Sequence, residues 1–189
     1  MARKVLITGI GGLLGAELAK KYHENGCEIF GIQRSKPKPD QIKYKIFSGD
    51  INDEIFLEES FQGMDLVIHA AAKVSFDRRD KKELYLTNVK GTQKVINACL
   101  YLNTPKIIHV SSVAALGRNA DRLVINEENQ WENSKLNTNY AYSKYLAEQE
   151  FWRGIEEGLK GFCINPSIIL GREMLEPVPV SFLKILKRK

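Results

Sequence analysis

Tyr140 and Lys144 stand four residues apart in a stretch with helical spacing, from about Tyr140 to Glu157, so a helix carries both on one face. A phenol with its ordinary pKa near 10 is a poor acid/base group at neutral pH. A neighbouring ammonium favours the phenolate and lowers that value, which turns the pair into a proton-transfer device. Accidental spacing is the alternative, because Tyr142, Tyr145, Lys135 and Lys160 lie in the same region. Tyr142 has Leu146 four residues on and Tyr145 has Gln149, so among these tyrosines only Tyr140 makes the pair.

Thr8-Gly9-Ile10-Gly11-Gly12-Leu13-Leu14-Gly15 offers a different chemistry. Glycines between a strand and a helix allow a tight turn, close approach of backbone to a pyrophosphate, and tight helix–strand packing. The helix that follows presents free N–H groups and the positive end of its dipole to phosphates. A merely flexible turn is the alternative. A dinucleotide site selective for NAD usually carries an acidic residue about 20 residues beyond the glycines, for the ribose 2′-hydroxyl. Gln33-Arg34-Ser35-Lys36 occupies that place, with no carboxylate before Asp40. Arg34 is suited to a 2′-phosphate through charge-assisted hydrogen bonds, so NADP is the expected cofactor, with NAD as the alternative and a plain surface arginine as the reading without function.

These residues need elements to hold them. Lys4–Gly9 is a short apolar run ending at glycine, as a buried parallel strand does. Leu14, Leu18 and Tyr22 mark a helix closed by Asn25-Gly26. Strands follow at Cys27–Ile32, Tyr44–Phe47, Asp65–His69, Lys106–Val110 and Phe162–Ile164. Helices are predicted over 53–61, 80–102 and Tyr140–Glu157. Strands alternating with helices predict an α/β fold, a Rossmann-type doubly wound parallel sheet.

The 189 residues suit one domain, with 43% hydrophobic and 27% charged residues, which excludes a disordered chain. Cys27, Cys99 and Cys163 are too scattered for a disulfide framework and read as small hydrophobes in a reducing compartment. His69 and His109 end predicted strands with no carboxylate or cysteine at ligand spacing, so no metal site is expected. The net charge is +5, but Lys184, Lys187, Arg188 and Lys189 supply four of those charges. The remainder is nearly neutral, so the tail reads as a solvated helix end and no nucleic-acid partner is expected. The apolar run after Arg3 and Lys4 is too short for a signal peptide, and nothing approaches the roughly 18 residues of a membrane span. A soluble, cytoplasmic protein is predicted.

With these motifs in order, the chain resembles the extended branch of the short-chain dehydrogenase/reductase superfamily, the NAD-dependent epimerase/dehydratase family. The resemblance rests on Thr-Gly-x-x-Gly-x-x-Gly at 8–15, Asp50-Ile51, His69-Ala70-Ala71-Ala72 and Asn88-Val89-x-Gly91-Thr92. It continues through Ser111-Ser112, Tyr140-x-x-x-Lys144 and Asn165-Pro166-Ser167. It implies that Tyr140 exchanges a proton with the substrate oxygen and that Lys144 also holds the nicotinamide ribose. Ser112, five residues before Gly117, would hold the substrate carbonyl, with Ser111 sent to the opposite side by strand alternation. Asn88 resembles a proton-relay asparagine, with a purely structural bond to backbone as the alternative. Asp50 and Ile51 would meet the adenine, unless Asp50 caps the next helix.

The same resemblance implies hydride transfer between nicotinamide and a carbonyl or alcohol carbon of a small molecule, with a homodimer among the assemblies it allows. The segment His69–Phe76 looks more like the dihydroflavonol reductase and 3β-hydroxysteroid dehydrogenase branches than the sugar-nucleotide epimerases. A sugar-nucleotide epimerase or dehydratase, or a dinucleotide-binding module without turnover, is the alternative. Relatives continue into a smaller substrate domain, whereas this sequence stops soon after Pro166. Residues 1–171 are therefore expected to form the dinucleotide-binding domain. Residues 172–189, with Phe182, Leu183, Ile185 and Leu186 at helical spacing, are expected to begin a truncated substrate-binding region.

Overall fold

The computed structural model describes residues 2–37, 41, 43–119 and 124–170. The expected segment 172–189 lies outside the described residues. Six parallel strands form one sheet: β1 (Lys4–Thr8), β2 (Glu28–Gln33), β3 (Lys45–Ser48), β4 (Leu66–His69), β5 (Ile107–Val110) and β6 (Gly161–Ile164). Their spatial order is β3-β2-β1-β4-β5-β6. The chain order reverses between β1 and β4, and a doubly wound sheet binds its ligand beyond the carboxyl ends of the strands at such a switch point. Thr8 pairs with His69 at that place, so the glycine turn and Ala70–Ala72 leave the sheet side by side.

The two faces of the sheet are separate cores. Val5, Ile7, Leu66 and Ile68 pack on one face beneath α1 (Leu13–Glu24), with Ile10 and Ala19. Leu6, Val67 and Ile107 point the other way, toward Leu57 and Phe61 of α2 (Glu54–Phe61). Alternate side chains of buried parallel strands serve opposite layers, which is why these strands read as unbroken apolar runs. The same face is covered by Val95 and Ile96 on α4 (Gly91–Tyr101) and Phe151 on α5 (Asn139–Glu156).

The stretch expected as one helix over 80–102 is composite. A 3₁₀ turn (Arg78–Asp80) leads into α3 (Lys81–Leu84), then a π-helical turn (Tyr85–Lys90), then α4. The π turn brings both Asn88 and Val89 into the interior. Such turns are a wider coil accepted where neighbouring contacts compensate, and here Asn88 supplies them. Among the described residues no helix is long and apolar enough to cross a membrane. All three cysteines are free, Cys99 buried and the other two half-buried.

Candidate active site

The glycine turn is shaped by what it touches. Gly9 takes φ +72°, and a Cβ there would lie 2.8 Å from the Ala71 Cα. At Gly15 a Cβ would lie 2.3 Å from the Gly9 carbonyl oxygen, so helix and turn are in backbone contact. Gly12 caps α1 with no side-chain hydrogen bond, which leaves the first N–H groups of the helix to a ligand. They open on a cleft of about 360 Å³.

Gly9, Gly11 and Gly12 form one wall of that cleft and Ala70–Ala72 another. Gln33, Arg34 and Ser35 close one end, with Asp50 and Ile51 beside them. The dimensions suit a nucleotide, and the uncapped helix end at the exposed Gly12 fits its phosphates. The Gln33 amide is committed: it exchanges hydrogen bonds of 3.2 and 3.3 Å with Gln41, whose nitrogen also donates to the Ile10 carbonyl. Arg34 is exposed. Asp50 accepts from the backbone and side-chain nitrogens of Asn52, whereas Asp53 caps α2 through the Phe56 N–H at 3.1 Å. The cap belongs to Asp53, so the helix-capping alternative for Asp50 is not realised.

Thr8 and His69 lie under the cleft and do not line it. The Thr92 hydroxyl donates to the Asn88 carbonyl at 2.6 Å, so at 2.9 Å it must accept from His69 Nε2–H. His69 Nδ1 therefore accepts from the Thr8 hydroxyl at 2.7 Å, and Thr8 accepts from the Ala71 N–H at 3.2 Å. The chain of bonds fixes one neutral tautomer. Burial, reinforced by the Lys144 charge, lowers the His69 pKa to about 3. His109, stacked on Phe151 and tilted against His69, is held well below its usual value first by burial and then by Lys144 and His69. No group of three His, Cys, Asp or Glu among the described residues could hold a metal ion.

From Ala72 the wall continues to Lys73, and there Asn88 takes over. Its Oδ1 accepts from the Lys73 N–H at 2.7 Å, and its Nδ2 donates to the Lys73 carbonyl and to the Ser143 hydroxyl, both at 2.9 Å. Ser143 in turn donates to the Tyr140 carbonyl at 2.8 Å. The structural role expected as an alternative for Asn88 is present in the fold, because its side-chain amide is fully occupied by protein.

Tyr140 enters on the first turn of α5, whose cap is Thr138, bonded to the Ala141 N–H at 3.1 Å. The Tyr140 hydroxyl shares a hydrogen bond with Ser112, while Ser112 Oγ accepts from the Ala114 N–H at 3.2 Å. That arrangement leaves the Ser112 proton for the phenol oxygen. The Tyr140 ring meets Phe76 edge-on with centroids 5.9 Å apart, and Phe76 is 66% exposed. Lys144 is 2% exposed, and its ammonium donates to the Val110 carbonyl at 2.9 Å. Burial lowers its pKa to about 8, with the Glu148 carboxylate acting against that shift. This ammonium is not among the groups that shift the phenol. Burial raises the Tyr140 pKa, with only the Ser112 bond acting against it.

The sequence profile of the NAD dependent epimerase/dehydratase family matches residues 5–186. The chain belongs to that family. Among curated relatives, a putative dihydroflavonol 4-reductase of Synechocystis is 31% identical over all of this chain and 56% of its own length. Among solved structures, gox2253 is 31% identical with a TM-score of 0.82, over 95% of this chain and 56% of the other. A UDP-glucose 4-epimerase of Brucella ovis in complex with NAD is 27% identical with a TM-score of 0.77, over 87% and 51%. The chain thus spans just over half the length of the curated relatives it matches.

Within this epimerase/dehydratase frame, the structure brings Ser112 and Tyr140 together and draws Asn88 to them through Ser143. It does not bring Asn165, Pro166 and Ser167 to the cleft. Asn165 donates to the Ser112 carbonyl at 3.1 Å, the Pro166 carbonyl accepts from the Val113 N–H at 3.1 Å, and Ser167 is exposed. These residues frame the Ser112 loop. Leu14 packs from α1 onto the core, and Leu13 is half-buried away from the cleft lining. Sequence reasoning missed Gln41, Lys73, Ser143 and Glu148. Only Glu148 carried a signal, since it extends the Tyr140–Lys144 spacing by four more residues.

Proposed function

We propose that this chain carries the dinucleotide site and the proton-transfer site of an NAD(P)-dependent reductase acting on a small carbonyl or alcohol, in the manner of a hydroxysteroid dehydrogenase or dihydroflavonol reductase. The observation that carries the reading is the Ser112–Tyr140 hydroxyl pair at the end of a wall that begins in the nucleotide cleft. Gly9–Gly12 and the amino end of α1 would hold the pyrophosphate, and Asp50 and Ile51 the adenine. A bound reduced dinucleotide supplies a hydride to the carbonyl carbon. Ser112 orients the carbonyl oxygen, and Tyr140 delivers its proton to that oxygen as the alcohol forms. Lys144 supports the phenol and the ribose once the dinucleotide is in place. The exposed Arg34 supports NADP over NAD, because a guanidinium pairs bidentately with a phosphate.

Epimerase or dehydratase chemistry is the second reading, supported by the similarity to the Brucella enzyme. It uses the same groups but returns the dinucleotide to its starting state. A dinucleotide-binding module without turnover is the third. Fluorescence titration with NADPH and NADH, followed by a nicotinamide absorbance assay with carbonyl substrates including a dihydroflavonol, tests them in order. Saturable binding with net loss of NADPH is expected. Absence of dinucleotide binding overturns the proposal, and binding with substrate conversion but no net oxidation moves it to the epimerase reading.

A further inference from the structure

Tyr140, Lys144 and Glu148 follow one another at intervals of four on α5 and so form a single stripe along one side of the helix. Glu148 Oε2 accepts from the Ser111 hydroxyl at 2.6 Å and from Asn165 Nδ2 at 2.8 Å. The same Asn165 nitrogen donates to the Ser112 carbonyl at 3.1 Å. One carboxylate oxygen therefore joins the residue beyond β5 to the residue beyond β6, and through Asn165 it reaches the backbone of Ser112. Glu148 Oε1 takes a longer bond of 3.4 Å from the Trp152 indole.

We propose that Glu148 is a positioning residue for the Ser112–Tyr140–Lys144 site: its carboxylate ties down the strand ends that aim Ser112 at Tyr140 and is the counter-charge of Lys144. The inference rests on the reading of that site as the proton-transfer site. The groups facing Lys144 make the second role specific. His69 from β4 and His109 from β5 are neutral and buried, and the Val110 carbonyl contributes only a dipole. The Cys163 thiol from β6 is pushed up to about 12, chiefly by burial, and so is uncharged at neutral pH. Glu148 brings the formal negative charge to this group. An unpaired buried ammonium sheds its proton readily, and a nearby carboxylate opposes that loss.

Glu148→Gln separates the two roles, because a carboxamide oxygen still accepts from Ser111 and Asn165 but carries no charge. Nitrogen-15 NMR of the lysine-labelled 189-residue chain reads the Lys144 titration, with Lys144→Met identifying the resonance. The wild type should titrate near 8, and Glu148→Gln should titrate lower by about half a unit or more. Glu148→Ala removes the tie as well. With the Ser112 bond loosened, the Tyr140 titration, read by carbon-13 tyrosine NMR against Tyr140→Phe, should move up. An unmoved Lys144 in Glu148→Gln overturns the proposal, as does an unmoved Tyr140 in a folded Glu148→Ala. If Glu148→Ala does not fold, the glutamine variant decides. Dinucleotide titration of the wild type keeps the two readings apart. A chain that binds no dinucleotide refutes the functional reading whatever Lys144 does, and a binding chain whose Lys144 ignores Glu148 refutes this inference alone.

Discussion

Lys144 directs its ammonium to the carbonyl of Val110, 2.9 Å away, rather than to the phenol one helical turn earlier. Burial holds the Tyr140 pKa above the ordinary phenol value, with the Ser112 bond acting against it, so the phenol is protonated in the neutral range. A protonated phenol is the form that can give a proton to a carbonyl oxygen.

Tyr140→Phe should accordingly lower turnover of an accepted carbonyl by about 10²–10⁴ while dinucleotide affinity stays within a few-fold. Lys144→Ala should lower both. Steady-state rates beside fluorescence titrations check this, and wild-type turnover by the phenylalanine variant would remove Tyr140 from the proton path.

Arg34 is the test of cofactor choice. Loss of one charge-assisted hydrogen bond in Arg34→Ala should weaken NADPH binding by about 1.5–3 kcal/mol and leave NADH binding nearly unchanged. Equal affinity of the wild type for both dinucleotides would show that the guanidinium does not read the ribose.

The buried histidines predict acid sensitivity. His69 is neutral when folded, with its pKa lowered to about 3, whereas the unfolded chain takes up a proton near the ordinary value of about 6.5. Its contribution is therefore complete above that ordinary value and is lost as pH falls toward the folded one, at up to about 1.4 kcal/mol per unit. His109 acts in the same direction. Urea unfolding of His69→Gln across mildly acidic pH should show a shallower slope than wild type, and parallel curves would contradict the assignment.

Two glycines of the same turn should separate fold from binding. Gly15→Ala sets a methyl 2.3 Å from a backbone oxygen and should cost about 1–3 kcal/mol of stability. At Gly12 the nearest atom is 3.4 Å away and φ is −84°, so alanine should leave stability within about 0.5 kcal/mol. Its methyl would still crowd the phosphate position, and dinucleotide affinity should drop. Chemical denaturation and fluorescence titration distinguish the two, and unchanged affinity in Gly12→Ala would place the phosphates elsewhere.

The sheet was legible because buried parallel strands write themselves as apolar runs, and Lys4–Thr8 ends on a glycine that the switch point needs. The Tyr140–Lys144 spacing was legible because four residues make one turn of helix. The direction of the Lys144 ammonium was not, since it depends on the Val110 carbonyl far away in sequence. The π turn was equally hidden, because the residues from Tyr85 to Lys90 have ordinary helical composition and the wider coil answers to Lys73 and Ser143. The pairing of Gln33 with Gln41, and the choice of Asp53 over Asp50 as cap, were likewise decided by tertiary geometry among chemically equivalent candidates.

Asn88 meets Lys73 as a neighbouring strand would, taking its N–H and returning a donor to its carbonyl. One side chain thus counterfeits an extra rung of sheet past the end of β4. Only a carboxamide can play both parts. Replacing that amide by a carboxylate would preserve shape and volume yet set an oxygen against the Lys73 carbonyl, where the amide nitrogen now donates. The contact between the nucleotide wall and the helix that carries Tyr140 therefore depends on a single amide nitrogen, which also donates to Ser143.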